Sequence, residues 1–431
     1  MSDERESSVT AVTPRKPAPA VQKPESVVST SVAPSKPFSL GNRPALTGVR
    51  ALLMVAVVAY HANLTILRGA WMPLQFFFVL SGFLITSMLA SEHQRTGRIS
   101  LGKFYSGRAV RLLPPLILTV ALLALYASLV YVANAPQQVW GDSAAALFYS
   151  DYRQAFEHNP LYSGYLTQCW SLAVEEQFYL IWAALLLLAL KFGRRKIAYA
   201  LALTGIAVCV ANRIRIVLDA PHWSIYVAER TYYAFDTRAD ALFLGCLLGL
   251  IATGGHLGGW KAGTRQVLTV AALASTATLI WILFNVDVGS RSLPLVWVPI
   301  GEIASAVIIT YFIVHPEGIG TRVIGVSALV LVGNMTYTIY LVHWPIFVAI
   351  SPSTVHWPFW VIEVVRLSMV IPLTVASWYL MEKPLMKWRR KVLEPARAGG
   401  SQVVQTPAPR RGGPVSSADK LAVGQSSQSV E

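Results

Sequence analysis

An arginine and a histidine stand inside one otherwise apolar run, NRPALTGVRALLMVAVVAYHAN, residues 42–63. Read as a helix at about 100° and about 1.5 Å per residue, Arg50 and His61 point the same way, roughly 16 Å apart along the axis. An ionisable side chain in hydrocarbon costs about 2.5–3.5 kcal/mol, so two on one stripe should face a polar interior rather than lipid. The plainer alternative is an Arg50 that snorkels to the headgroups and a His61 that makes one helix–helix hydrogen bond.

Other chemistry-bearing residues fall into groups. In KFYSGRAVRLLPP, Arg108 and Arg111 lie three residues apart before Pro114-Pro115; fixed cations there could hold phosphates, or simply anchor the span. CWSLAVEEQFYLIW sends Glu175, Glu176 and Gln177 into hydrocarbon. Adjacent carboxylates point about 100° apart, so at most one easily shares a cavity with His61. Asp236, Arg238 and Asp240 open the sixth apolar segment, His343 lies near the outer end of the ninth, Glu363 and Arg366 begin the tenth, and Glu302 sits deeper in the eighth. Each alone suits a structural ion pair. Together they form a polar outer cavity, with Arg50, Arg108 and Arg111 at an opposite, cationic inner mouth. Ser81-Gly82, in the middle of the second segment, reads as a site of close helix packing.

The elements that position these residues follow from composition. Of 431 residues, 54% are hydrophobic and 13% charged, which specifies an all-α polytopic membrane helix bundle. Segments of spanning length fall at about 44–64, 71–90, 112–133, 170–190, 197–218, 237–253, 266–286, 293–314, 326–350 and 358–381. About ten transmembrane helices with both termini in the cytoplasm put most Lys and Arg inside, leaving Arg68, Arg153, Arg213, Arg215, Arg230 and Arg291 outside. The formal charge of +14 therefore sets orientation, and no nucleic-acid role is read from it. Cys169, Cys209 and Cys246 lack CxxC spacing or a companion His cluster, so no disulfide framework or metal site is expected. Residues 1–40 and 395–431 read as disordered cytoplasmic tails around a membrane domain at 41–394, with no signal peptide and no appended soluble domain. The outer loop at about 134–169 could form a small cap.

Six strings in order resemble the acyltransferase-3 family of integral membrane O-acyltransferases: Arg50-x10-His61, FFVLSGFLI at 77–85, FYSGRAVRLLP at 104–114, WSLAVEEQFYL at 170–180, TRADALFLG at 237–245 and YTIYLVHWP at 337–345. Thr47 and Gln75 stand where many relatives carry Asp. The stand-alone form is expected, without the SGNH-type esterase domain fused to some relatives. The resemblance implies a multi-pass protein of the cell (inner) membrane. It would move an acyl group, acetyl first among them, from acyl-coenzyme A to a hydroxyl of an envelope glycan, glycolipid or secreted natural product. On that reading Arg50, Arg108 and Arg111 hold the coenzyme phosphates, and His61 is general base or transient acyl acceptor. Glu175 or Glu176 would orient His61. Arg238 or His343 would polarise the thioester or hold the acceptor, with Asp240 beside them. The rival class is a secondary transporter or lipid flippase, although no internal repeat is evident.

Overall fold

The computed structural model describes residues 41, 43–64, 66–130, 149–156 and 164–393. Both tails and most of the 134–169 loop lie outside the described residues. The chain runs through α1 (Pro44–His61), α2 (Met72–Thr96), α3 (Leu101–Val130), α4 (Ser150–Phe156), α5 (Trp170–Lys191), α6 (Arg195–Asp219), α7 (Ile225–Tyr233) and α8 (Phe235–Arg238). It continues through α9 (Asp240–Thr253), α10 (Ala262–Asn285), α11 (Val298–Val314), α12 (Ile319–Ile324), α13 (Ser327–Ala349), α14 (Phe359–Ser377) and α15 (Lys383–Leu393). Turns of π-helix at Leu293–Trp297 and Trp378–Glu382 precede α11 and α15. No strand occurs among the described residues.

Each of the ten expected spans corresponds to a helix, and eight are long and apolar enough to cross a membrane by length and composition. The two others are α9, at 14 residues, and α13, whose 23 residues include Asn334, Thr336, Thr338 and His343. At about 1.5 Å per residue α9 reaches roughly 21 Å, short of a hydrocarbon core of about 30 Å. Its C-terminal carbonyls are therefore satisfied by side chains. Arg195 donates to the Leu250 carbonyl and, at 2.5 Å, to Thr253 Oγ1, while Gln94 donates to the Thr253 carbonyl at 2.8 Å. The third span differs in another way, since its helix begins at Leu101, eleven residues before the expected start, and carries Arg108 and Arg111 within it.

Small residues bring the central helices together. A Cβ at Gly82 of α2 would overlap the Leu242 carbonyl of α9, and one at Gly245 would overlap the Val79 carbonyl. Gly82 is thus a packing residue, as its place in the second span suggests. On the other side α1 lies along α13 through Gly333, whose Cβ would overlap the Thr47 carbonyl. Pro345 inside α13 has no N–H for the Leu341 carbonyl, and Gln168 Nε2 donates to that oxygen instead, at 3.2 Å. At the end of α13, Arg366 of α14 donates to the Ile350 carbonyl at 2.7 Å and the Phe347 carbonyl at 2.9 Å while pairing with Glu363 at 2.5 Å. Arg366 and Glu363 cap a helix, so they are not part of an open polar cavity.

A buried charge network ties α2, α6, α9 and α11. Arg213 and Asp240 pair at 2.7 Å with both side chains 1% exposed; Arg213 also donates to the Thr237 carbonyl at 2.8 Å. Arg238 is fully buried and donates to the amide oxygen of Gln75, and the Glu302 carboxyl lies close to Asp240, Arg213 and Arg238. Two arginines and two acids thus meet around a neutral Gln75. Replacing Asp240 with Ala strands Arg213 in the bundle, and we expect a loss of about 3–5 kcal/mol, read as collapse of folded yield and melting temperature in detergent. The double variant Arg213→Met, Asp240→Leu regains most of both.

The described part of the outer loop supports a cap. Here α4 packs on α7, with Arg230 over the Phe156 ring at 4.9 Å and bonded twice to Asp236. Burial pushes the Asp151 carboxyl up to about 6, opposed by the hydrogen bond from Gln177 Nε2 at 2.9 Å. A folded-state value raised above the ordinary carboxylate range favours folding at low pH, and the advantage is lost as pH rises from about 4 to about 6. Asp151→Asn keeps the acceptor and sheds that penalty. Its melting temperature should exceed that of the wild type above about pH 6 and converge with it below about pH 4.

Candidate active site

His61 is the last residue of α1. The chain turns away immediately after it, because Asn63 adopts φ +60, a left-handed conformation that Asn tolerates better than most residues. The side chain turns to α13, where its Nδ1 lies 2.9 Å from His343 Nε2 and the two rings stack at 5.1 Å. His343 is fully buried, and its Nδ1 lies 2.9 Å from the Ile339 carbonyl. A carbonyl oxygen only accepts, so His343 Nδ1 carries the proton. Neutral His343 then offers a bare Nε2, to which His61 Nδ1–H donates. His61 is left with an unprotonated Nε2, the atom that a base or nucleophile needs.

Aromatic rings surround this pair. Trp344 stands edge-on to His61 at 4.8 Å, Tyr60 is tilted at 5.6 Å, and Tyr340 lies 5.7 Å from His343. The Tyr340 hydroxyl donates to the Gln168 carbonyl at 2.5 Å and sits 2.8 Å from Ser171 Oγ. From the cap, Tyr232 and Tyr233 pack against Trp170 at 5.1 and 5.0 Å. Burial pushes the Tyr232 phenol up to about 12, against the pull of Arg238, whose guanidinium lies 4.9 Å from its ring. It therefore stays protonated at neutral pH. Trp344 and Tyr340 flank His343 in the YLVHWP string, and their neighbourhood was the only sign of them in the sequence.

A second polar feature opens at the end where α1 begins. Arg50 donates to Thr336 Oγ1 of α13 at 2.8 Å. With Arg111 it lines a cavity of about 220 Å³, shared with Thr47, Val110, Asn334, Trp378, Glu382 and Met386. Arg111 remains accessible. Pro114 and Pro115 remove the helical N–H partners of the Val110 and Arg111 carbonyls, so the wall also offers acceptors. Glu382 is buried where the π-helical turn ends and accepts from Thr338 and, at 3.2 Å, from Ser377. Sequence reading overlooked it. The signal was a carboxylate ending an apolar run, in LMEKPL.

The two glutamates are not beside the histidine. Glu176 pairs with Arg108 at 2.8 Å, and the Arg108 guanidinium also lies 3.4 Å from the centre of the Tyr179 ring. Glu175 is beside Tyr179, Ser81 and Arg108, and Ser81 Oγ is hydrogen-bonded to Tyr179 OH. The expectation of carboxylates outside and arginines inside is corrected here. With α3 starting at Leu101, Arg108 is already in the bundle and meets Glu176 coming from the opposite end. The position expected for a carboxylate that orients His61 is filled by His343. Arg238 and Asp240 likewise belong to the network around Arg213, and the Arg238 guanidinium lies against the Tyr232 ring. Among the described residues no group of three or more His, Cys, Asp or Glu could hold a metal ion.

Comparison with known proteins bears on this arrangement. A profile of the acyltransferase-3 group, described as an acyltransferase domain, matches residues 43–383. The chain is 28% identical over 372 residues to the O-acetyltransferase OatA of Staphylococcus aureus, covering 82% of this chain and 58% of that protein. It is 30% identical over 321 residues to the peptidoglycan O-acetyltransferase OatA of Listeria monocytogenes, covering 72% and 50%. With the putative peptidoglycan O-acetyltransferase YrhL of Bacillus subtilis it shares 28% identity over 356 residues, covering 79% and 54%. It thus spans about half the length of these relatives. No solved structure matches. With a profile match over most of its length and an all-helical bundle rich in apolar spans, the chain belongs to the acyltransferase-3 family of multi-pass membrane proteins.

Proposed function

We propose that the protein transfers an acyl group, acetyl first, from cytoplasmic acyl-coenzyme A to a hydroxyl of a cell-envelope glycan, with His61 as general base. The observation that carries the reading is the His61–His343 pair. It leaves His61 Nε2 unprotonated at the end of a helix that begins beside an arginine-lined cavity. The names of the relatives, O-acetyltransferases with peptidoglycan specified for one and putatively for another, favour a glycan hydroxyl as acceptor.

In this mechanism the donor enters at Arg50 and Arg111, and its thin pantetheine arm runs along α1 toward His61, over the roughly 16 Å between the two residues. The acceptor reaches the aromatic chamber from the cap side. His61 Nε2 takes the hydroxyl proton as the oxygen attacks the thioester carbonyl carbon. The C–O bond forms, the C–S bond breaks, and the proton returns to the departing thiolate. Throughout, His343 Nε2 holds His61 Nδ1–H, which fixes the ring and favours the transient imidazolium. Arg108, Glu176, Glu175 and Tyr179 form the wall that keeps α3 and α5 in register between the two ends, and Arg238 with Asp240 fixes α9 behind Tyr232.

In membranes containing equal amounts of folded protein, His61→Ala should lose acetyl transfer from radiolabelled acetyl-coenzyme A by at least about a thousandfold. Full transfer by this variant would reject the base. His343→Gln, whose amide oxygen can still accept from His61 Nδ1, should keep more of kcat than His343→Ala. The latter should fall about a hundredfold with little change in KM. Equal rates for the two variants would remove the positioning role.

A further inference from the structure

The cavity at Arg50 and Arg111 is small. Its volume of about 220 Å³ is below the roughly 300–1,000 Å³ of sites that enclose a drug-sized ligand. It can admit the acyl end and a thin arm of the donor, and the bulk of a nucleotide must stay outside. One wall of its rim is α15, through Met386. Immediately beside Met386, Lys383, Lys387 and Lys391 are exposed. At about 100° per residue they fall within roughly 80° of one another, forming one basic stripe along the helix. Flanking the stripe on one side, α15 carries Trp388 and Val392, 54% and 50% exposed, which suit the lipid boundary. Arg389 turns inward instead and lays its guanidinium over Gly107 of α3, where a Cβ would come within 2.5 Å of it. This contact fixes α15 next to the Arg108–Arg111 turn. Arg108 itself is engaged by Glu176 and Tyr179.

We propose that the lysine stripe of α15, Lys383, Lys387 and Lys391, is the docking surface for the nucleotide phosphates of the donor. These are the 3′-phosphate and diphosphate of the coenzyme, resting on the rim while the arm enters between Arg50 and Arg111. The inference rests on the acyl-coenzyme A reading above and moves the phosphate site from Arg50, Arg108 and Arg111 to the exposed lysines of α15. A polyanion matches three adjacent exposed ammonium groups, and the stripe adjoins the cavity that the rest of the donor would occupy.

The test uses the full-length protein in nanodiscs and compares acetyl-coenzyme A with its 3′-dephospho form. For the wild type, kcat/KM should be about tenfold higher with the 3′-phosphate than without it. The triple variant Lys383→Gln, Lys387→Gln, Lys391→Gln should raise KM for acetyl-coenzyme A about tenfold or more, leave kcat within about twofold, and lose the preference between the two donors. Lys191→Gln with Lys196→Gln removes charge at the same end of the bundle away from the cavity, and should change neither constant. An unchanged KM and preference in the triple variant overturns the proposal. So does an effect seen only in discs of anionic phosphatidylglycerol and absent in neutral phosphatidylcholine, which would assign the stripe to lipid headgroups. If the wild type transfers acetyl and the triple variant matches it, the α15 site alone fails. If the wild type uses neither donor, the acyl-coenzyme A reading fails with it.

Discussion

The hydrogen bond between His61 and His343 is the constraint on which the arrangement turns. It requires α1 and α13 to lie close enough for two imidazoles to meet, and the backbone contact at Gly333 provides that closeness. It also requires His343 to have a fixed tautomer, which the Ile339 carbonyl imposes. Pro345, two residues later, could have disrupted α13 at this level, but the Gln168 amide satisfies the carbonyl that the proline leaves open. Backbone geometry, a proline and a glycine thereby decide which nitrogen of His61 carries its proton.

The cost of charge in an apolar bundle explains how the remaining ionisable groups are used. Most are neutralised in pairs: Arg213 with Asp240, Arg108 with Glu176, Arg366 with Glu363 and Arg230 with Asp236. Arg195 spends its donors on the end of a helix too short to reach the boundary. Arg50 and Arg111 form no ion pair among the described residues and instead border a cavity. Two arginines held at one cavity without a direct ion pair, with Glu382 in the same wall, mark the mouth by which a donor's arm would enter.

Much of the fold was legible in the sequence, because apolar runs of spanning length need little tertiary information to become helices. The site was legible in part. The offset of Arg50 and His61 placed them on one stripe, and the structure gives each a partner on the same helix, α13. The partner of His61 was not legible, since an adjacent pair of glutamates is a more conspicuous candidate than a histidine 282 positions away. Periodicity gives the facing of a residue on its own helix, but depth depends on where the helix starts, and α3 starts eleven residues earlier than its apolar run suggests. In the sequence Gln75 stands out only as a departure from relatives. Its part as acceptor for the Arg238 guanidinium became visible once α2 and α8 were placed together.

The central claim concerns a proton, and nitrogen NMR can locate it. In protein carrying ¹⁵N-histidine in nanodiscs at neutral pH, with signals assigned by single replacement, both His61 and His343 should show a protonated Nδ1 and a bare Nε2. Free imidazole side chains favour the other tautomer. A protonated Nε2 on neutral His61 would leave its one lone pair on the nitrogen that faces His343 and would contradict the account.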